Sequence, residues 1–130
     1  MKHALYDVRT LFAVSVSVAC CTQAQAYPQR PVRLIVPFAP GGTTDILARL
    51  IGQKLTPVLG QPVVIDNRPG ANGAVGSEFV AKSTPDGHTL IMGYLGSLAI
   101  NPHLFSKLPY DAVRDFAPVT VVASTAQAIC

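Results

Sequence analysis

Three short runs of apolar and β-branched residues, separated by glycine-bearing loops and stretches of helical periodicity, constrain this chain more than any other feature. Val32 to Pro37 (VRLIVP) is closed by a proline and reads as a buried strand. Phe38 to Thr43 (FAPGGT) is then a loop. From Thr44 to Leu59 the residues Ile46, Leu47, Leu50, Ile51, Leu55, Val58 and Leu59 recur at helical spacing, with Arg49, Gln53 and Lys54 opposite them. That spacing predicts an amphipathic helix, interrupted late by Pro57 and stopped at Gly60. The pattern repeats with a strand at Val63 to Asp66 (VVID), a loop at Arg68 to Gly76 (RPGANGAVG) and a brief helix from Gly76 to Lys82. Thr84 to Gly87 (TPDG) spells a turn, because proline presets one central dihedral and glycine tolerates positive φ. Thr89 to Gly93 (TLIMG) is a third strand, followed by an irregular stretch in which Pro102 and Pro109 break any long helix. A last apolar run, Val119 to Ala123, reads as a fourth strand.

Strands alternating with helices imply an α/β fold built on a parallel βαβαβ sheet with right-handed crossovers and helices on both faces. The strand-to-helix loops then emerge together at the carboxyl edge of the sheet, where open α/β sheets bind ligands.

The segment ahead of these elements belongs to a different category. Lys2, His3 and Arg9 form a basic region interrupted by Asp7, Leu11 to Cys21 is an apolar stretch of eleven residues, and Ala24, Gln25 and Ala26 supply a small-x-small cleavage pattern. We expect residues 1–26 to be a signal peptide cleaved after Ala26, and residues 27–130 to be a single incomplete domain. Eleven apolar residues are too few to cross a bilayer, for which about 20 are needed. A lipoprotein acylated at Cys20 or Cys21 is the rival reading of the same segment.

Export would leave eight basic and six acidic residues, with no basic stripe to recruit nucleic acid. It would also leave Cys130 as the one cysteine, so neither a disulfide within the chain nor a cysteine metal site is indicated. His3, His88 and His103 are far apart, and no metal or other cofactor is called for.

Two loops carry the candidate chemistry. Pro40, Gly41 and Gly42 stand immediately before the first helix, and Gly70, Gly73 and Gly76 stand before the second. Helix amino termini present unpaired N–H groups and a partial positive charge, and glycine lets a ligand approach the backbone closely. The bland alternative is that these glycines only make tight turns. Gly70, Gly73 and Gly76 follow G-x-x-G-x-x-G rather than the dinucleotide pattern, and no G-K-[ST] follows either loop. Without a lysine to neutralise charge, a carboxylate fits better than a polyphosphate. Asp45 is either a first-turn carboxylate that complements the helix dipole or a partner for an amino or hydroxyl group of the ligand. Ser97, behind Leu95 and Gly96, is either a hydroxyl donor to the same site or a turn serine. A nucleophilic role for Ser97 with His88 or His103 lacks the G-x-S-x-G elbow, and no catalytic residue is expected.

The stretches YPQRPVRLIVPFAPGGTTDILARLIGQKL, LGQPVVIDNRPGANGAVGSEFVAK, PDGHTLIMG and AINPHLFSKLPYDAVRDFAPVTVVA stand here in the order seen in the substrate-binding receptors of tripartite tricarboxylate transporters, the Bug or TctC family. The chain resembles that family from Tyr27 to about Ala123. The resemblance implies the first part of lobe 1 of a two-lobed, type II periplasmic-binding-protein fold, with the second lobe absent. It also implies a periplasmic receptor, not an enzyme, that takes up a small carboxylate and delivers it to membrane transporter subunits. By the same resemblance, one ligand carboxylate is held by the loop containing Phe38, Pro40, Gly41, Gly42, Thr44 and Asp45 and by the loop containing Gly70, Ala71, Asn72 and Gly73, with Gly96 and Ser97 adding contacts. The chain departs from the family at His88, where tyrosine is usual, and at Tyr94 and Leu95, where polar residues are common. A carboxylate sensor that contacts a signalling protein, and a truncated relic without function, are the competing readings.

Overall fold

A computed structural model describes residues 27–124 of the chain. The expected signal segment, Met1 to Ala26, and Cys130 lie outside the described residues. Strand β1 (Val32–Val36) is flanked in parallel by β2 (Val63–Asn67) and β3 (Thr89–Ile91), giving the sheet order β2-β1-β3. The register sets Leu34 between Ile65 and Leu90. With strand neighbours on both edges, β1 takes the centre, and Val32, Leu34, Ile35 and Val36 are all buried. The expected parallel α/β sheet is therefore present.

Helix α1 (Thr43–Leu59) covers one face of the sheet and α2 (Ala74–Ala81) the other, as right-handed crossovers to opposite sides of β1 require. Leu34 and Val36 point to the α1 side, where they form a core with Ala48 and Met92, packed further by Phe38, Leu47, Ile51, Val63, Ile65 and Leu90. Residues 33 and 35 alternate to the other side, where the Arg33 guanidinium lies 6.0 Å from the centre of the Phe79 ring of α2. The apolar stripe read from the sequence of α1 is wider than the face that is buried: Leu47 and Ile51 pack on the sheet, whereas Ile46, Leu50 and Val58 are exposed. A straight helix on a sheet turns only one face inward.

Pro57 lies inside α1 without ending it. The Thr56 hydroxyl donates to the Gly52 carbonyl at 2.8 Å and accepts the Val63 amide at 3.2 Å, which joins the last turn to the start of β2. Gly60 ends the helix as expected, in the left-handed conformation at φ 66°, with its amide on the Thr56 carbonyl.

Three readings of the chain need correction. Helix α2 begins at Ala74 rather than Gly76, so Gly76 lies inside it and not in the loop. There Gly76 is buried against Pro37. A Cβ at this position would stand 2.9 Å from Pro37 Cβ, 3.0 Å from Pro37 Cα and 3.1 Å from the Arg68 carbonyl oxygen. The glycine is needed for close approach of helix and strand, not for a turn. The stretch after β3 is helical rather than irregular: a π-helical segment, Gly96–Ile100, runs directly into a short helix α3 (Asn101–Leu104). Pro102 sits in the first turn of α3, where its missing N–H would have no helical partner in any case. The fourth strand expected at Val119 to Ala123 does not form. Val119 and Val121 are 81% and 83% exposed, and no described strand lies alongside to take their backbone hydrogen bonds.

Because Gly76 meets backbone and not a flexible side-chain tip, Gly76→Val is expected to destabilise the chain by about 1–3 kcal/mol. Urea denaturation followed by circular dichroism measures it, and an unchanged midpoint would contradict this packing.

Candidate functional site

The loop after β1 is shaped by one carboxylate. Asp45, in the first turn of α1, is only 3% exposed. Its Oδ2 accepts the Gly41 amide at 2.9 Å and Arg49 Nε at 2.9 Å, and its Oδ1 accepts Asn67 Nδ2 at 2.9 Å. Asn67 Nδ2 also donates to the Phe38 carbonyl at 3.2 Å, and Asn67 Oδ1 accepts Arg49 Nη2 at 3.3 Å. The Arg49 guanidinium, then the Gly41 amide and the Asn67 amide, hold the Asp45 carboxyl well below the usual carboxylate range. Both Asp45 oxygens are therefore engaged by protein donors, so the residue acts here as the brace of the first loop. Gly41 takes φ 87° to present its amide to Asp45, a conformation open to glycine at little cost. No side chain caps α1 at Gly42, so the first-turn amides of Thr43 and Thr44 have no intrahelical acceptor.

The loop after β2 adopts an unusual conformation. Gly70, Ala71, Asn72 and Gly73 all have positive φ, at 135°, 46°, 52° and 84°. A left-handed backbone costs an L-residue such as Ala71 on the order of 1–2 kcal/mol, so neighbouring contacts must impose it. Those contacts are visible. Asn72 Nδ2 donates to Asn101 Oδ1 at 2.8 Å, and Asn101 Nδ2 donates back to the Asn72 carbonyl at 3.1 Å. Asn101 is fully buried. The Gly73 amide bonds the Gly70 carbonyl, and the Ala74 amide bonds the Ala71 carbonyl. The turn thus consumes the amides of Gly73 and Ala74, while those of Ala71 and Asn72 have no acceptor among the described residues.

The third segment closes on the first two. A Cβ at Gly73 would lie 3.2 Å from Ser97 Cβ, 3.4 Å from Pro37 Cβ and 3.7 Å from Phe38 Cζ, so Gly73 is where the three connections meet. Phe38 and Tyr94 stack edge to face with ring centres 5.2 Å apart. Ser97 is buried beside Gly73, but its hydroxyl donates to the Tyr94 carbonyl at 3.1 Å. The Ser97 carbonyl in turn accepts the Tyr110 hydroxyl.

Phe38, Gly73, Asn72, Gly96 and Ser97 are thereby brought together, whereas Pro40, Gly41 and Gly42 line the exposed outer part of the first loop and Thr44 is half-buried at its helix. Asn67 and Asn101 escape sequence reasoning, since an asparagine after a strand or before a proline looks like any loop asparagine. Ser77 escapes it as well: its hydroxyl is buried in α2 without a hydrogen-bond partner among the described residues. His88 precedes β3, at the amino edge of the sheet and remote from Ser97. It packs edge to face on Tyr27 at 5.1 Å, and the Tyr27 hydroxyl donates to the Gly87 carbonyl at 2.6 Å. Concavities of about 240 and 360 Å³ lie on the helical flanks, one along Arg49, Gly52 and Ile65, the other along Arg68, Val75 and Phe79. Neither contains the three-loop junction.

The sequence profile of the tripartite tricarboxylate transporter family receptor, TctC, matches residues 47–129. The chain belongs to this family. Its match takes in the second and third loops and begins just inside α1. Protein BugT of Bordetella pertussis is 42% identical over 119 residues, which is 91% of this chain and 36% of that protein. Among solved structures, MatC from Rhodopseudomonas palustris with bound malate is 48% identical, with a TM-score of 0.69 over 72% of this chain and 32% of that one. An R. palustris protein with adipate is 46% identical, with a TM-score of 0.64 over 66% of this chain and 29% of that one. The chain thus spans about a third of the length of the relatives it matches. The family is one of solute-binding receptors rather than enzymes.

Two outcomes follow from this geometry. Asp45→Asn should melt below wild type at pH 7, because Arg49 and the Gly41 amide favour the ionised form. A carboxyl group with a lowered folded pKa stabilises the fold above its unfolded value, and that stability is lost as the pH falls toward the folded value. The gap between the two melting curves should therefore narrow below about pH 4; a gap independent of pH would refute the ionised brace. Asn101→Ala removes both bonds to Asn72 and should cost about 1–3 kcal/mol in urea denaturation.

Proposed function

We propose that this chain is the carboxylate-holding part of an extracytoplasmic receptor that captures a small organic acid and hands it to a tripartite tricarboxylate-type transporter. The observation that supports the reading is a pair of connections with acceptor-free backbone amides and no lysine, arginine or histidine in residues 37–44 or 69–73. The amides of Thr43 and Thr44 at the start of α1, and those of Ala71 and Asn72 in the positive-φ turn after β2, have no acceptor among the described residues, and both connections leave the carboxyl edge of the sheet. Unpaired amides at a helix amino terminus attract a carboxylate through partial charge and hydrogen bonding together. The Asp45 charge beside them is offset by Arg49 at 2.9 Å, so it does not close the site to an anion.

In this reading Phe38, Pro40, Gly41, Gly42 and Thr44 form the first wall, and Gly70, Ala71, Asn72 and Gly73 form the second. Gly96 and Ser97 support the second from behind, and Asp45 braces the first. The malate and adipate held by two relatives are small carboxylates of the expected kind. Delivery to membrane subunits, and export by way of residues 1–26 to the periplasm, rest on membership of a family of transporter receptors.

Gly42 provides the test. Its φ of −76° suits any residue, and a Cβ there would meet nothing closer than the Ala39 carbonyl oxygen at 3.8 Å. Gly42→Val is therefore expected to fold normally while its methyl groups cover the amides behind it. In ¹H–¹⁵N NMR titrations with succinate, wild type should show saturable shifts at Thr43, Thr44 and Asn72 and the variant none. Equal titration of both proteins would refute the site.

A further inference from the structure

The loop residues themselves restrict what can lie beyond an anchored carboxylate. No lysine, arginine or histidine occurs in residues 37–44, 69–73 or 93–97. The nearby guanidiniums are engaged elsewhere: Arg49 by Asp45, and Arg68 by Asp66 at 3.1 Å and by the Phe79 ring at 3.6 Å. These loops can neutralise one carboxylate through amides, but they bring no counter-charge for a second.

What they bring instead is Tyr94. Its ring lies against Phe38 at an interplanar angle of 85° and is 44% exposed, with Leu95 beside it 61% exposed. A Cβ at Gly96 would stand 3.0 and 3.1 Å from Tyr94 Cε1 and Cδ1 and 3.4 Å from Asn72 Nδ2. The ring therefore packs on Phe38 of the first connection and borders Gly96 of the third, a position that also faces the Asn72 side chain of the second. Gly96 is not among the glycines with positive φ, so it is the ring, and not the backbone, that keeps this position small.

We propose that Tyr94 is a specificity-determining residue of the carboxylate site, selecting ligands whose body beyond the bound carboxylate is apolar over compact dicarboxylates. The assignment rests on the carboxylate reading above. Aromatic side chains carry large apolar area and prefer edge or offset contact with a second ring, and Tyr94 offers such a surface beside the amides that hold the charge.

The test compares phenylacetate with succinate in ¹H–¹⁵N NMR titrations of the chain at pH 7 and fixed ionic strength. Wild type should bind phenylacetate more tightly. Tyr94→Ser should reduce the phenylacetate affinity by roughly fivefold more than the succinate affinity, the scale of a single aromatic contact. Gly96→Ala, which drives a methyl group into the ring, should shift the ratio in the same direction, and Tyr94→Phe should preserve it. If Tyr94→Ser gives no folded spectrum, Tyr94→Leu takes its place with the same expectation for an aromatic contact. A wild type that prefers succinate, an unchanged ratio in the variants, or an equal loss of both ligands would overturn the assignment while leaving the carboxylate site intact. Absence of any shift in wild type with either acid would overturn the carboxylate reading itself, and Tyr94 with it.

Discussion

The carboxylate of Asp45 is the point at which the first loop, the long helix and the second strand are joined. Gly41 reaches it by way of a left-handed backbone, Arg49 from one turn further along the helix, and Asn67 from the end of β2. Without this convergence the loop would have no reason to hold Gly41 in that conformation, and Phe38 would lose the Asn67 amide on its carbonyl. The arrangement also removes an electrostatic objection to the proposed carboxylate site. A bare aspartate beside an anion site would repel its guest, but a charge paired with a guanidinium and an amide hydrogen presents little net field to the amides next to it. The residue that shapes the loop is thereby compatible with the carboxylate proposed to bind beside it.

The second loop solves a different problem. Turning four successive residues through positive φ exposes backbone N–H groups along one short arc, and successive amides of this kind make concavities suited to anions. Such a turn does not hold itself, least of all at Ala71. Reciprocal bonds between Asn72 and Asn101 and the tight packing of Gly73 against Ser97 and Pro37 offset the strain. The third segment is therefore needed before any ligand arrives, since it imposes the conformation of the second. Ser97 contributes by filling space and through its backbone, with its hydroxyl already committed to Tyr94.

Much of this fold is legible in the chain. The strand runs, the helical spacing from Thr44 to Leu59 and the glycine stop at Gly60 agree with the structure to within a residue or two, because each depends on local periodicity or on a local dihedral preference. The errors share a cause. Gly76 looks like a loop glycine, but its smallness serves contact with Pro37, more than thirty residues away. The helical turns after β3 are hidden by glycine and proline, and their buried Asn101 is explained only by its partner in another loop. Val119 to Ala123 has the composition of a strand, yet composition supplies no neighbour to receive its hydrogen bonds.

The amino-acid sequence by itself determined the parallel sheet, the edge at which its loops gather, and the chemical character of those loops: rich in glycine and without lysine. These follow from periodicity and residue type, which act over a few positions. Only the tertiary structure decided which groups do what within the loops: Asp45 as a brace, Asn101 as a clamp, Gly73 as the meeting point and Tyr94 as an exposed ring against Phe38. Those roles come from contacts between residues far apart in the chain, and a hydrogen bond or a van der Waals limit acts only on groups that folding has already brought within a few ångströms.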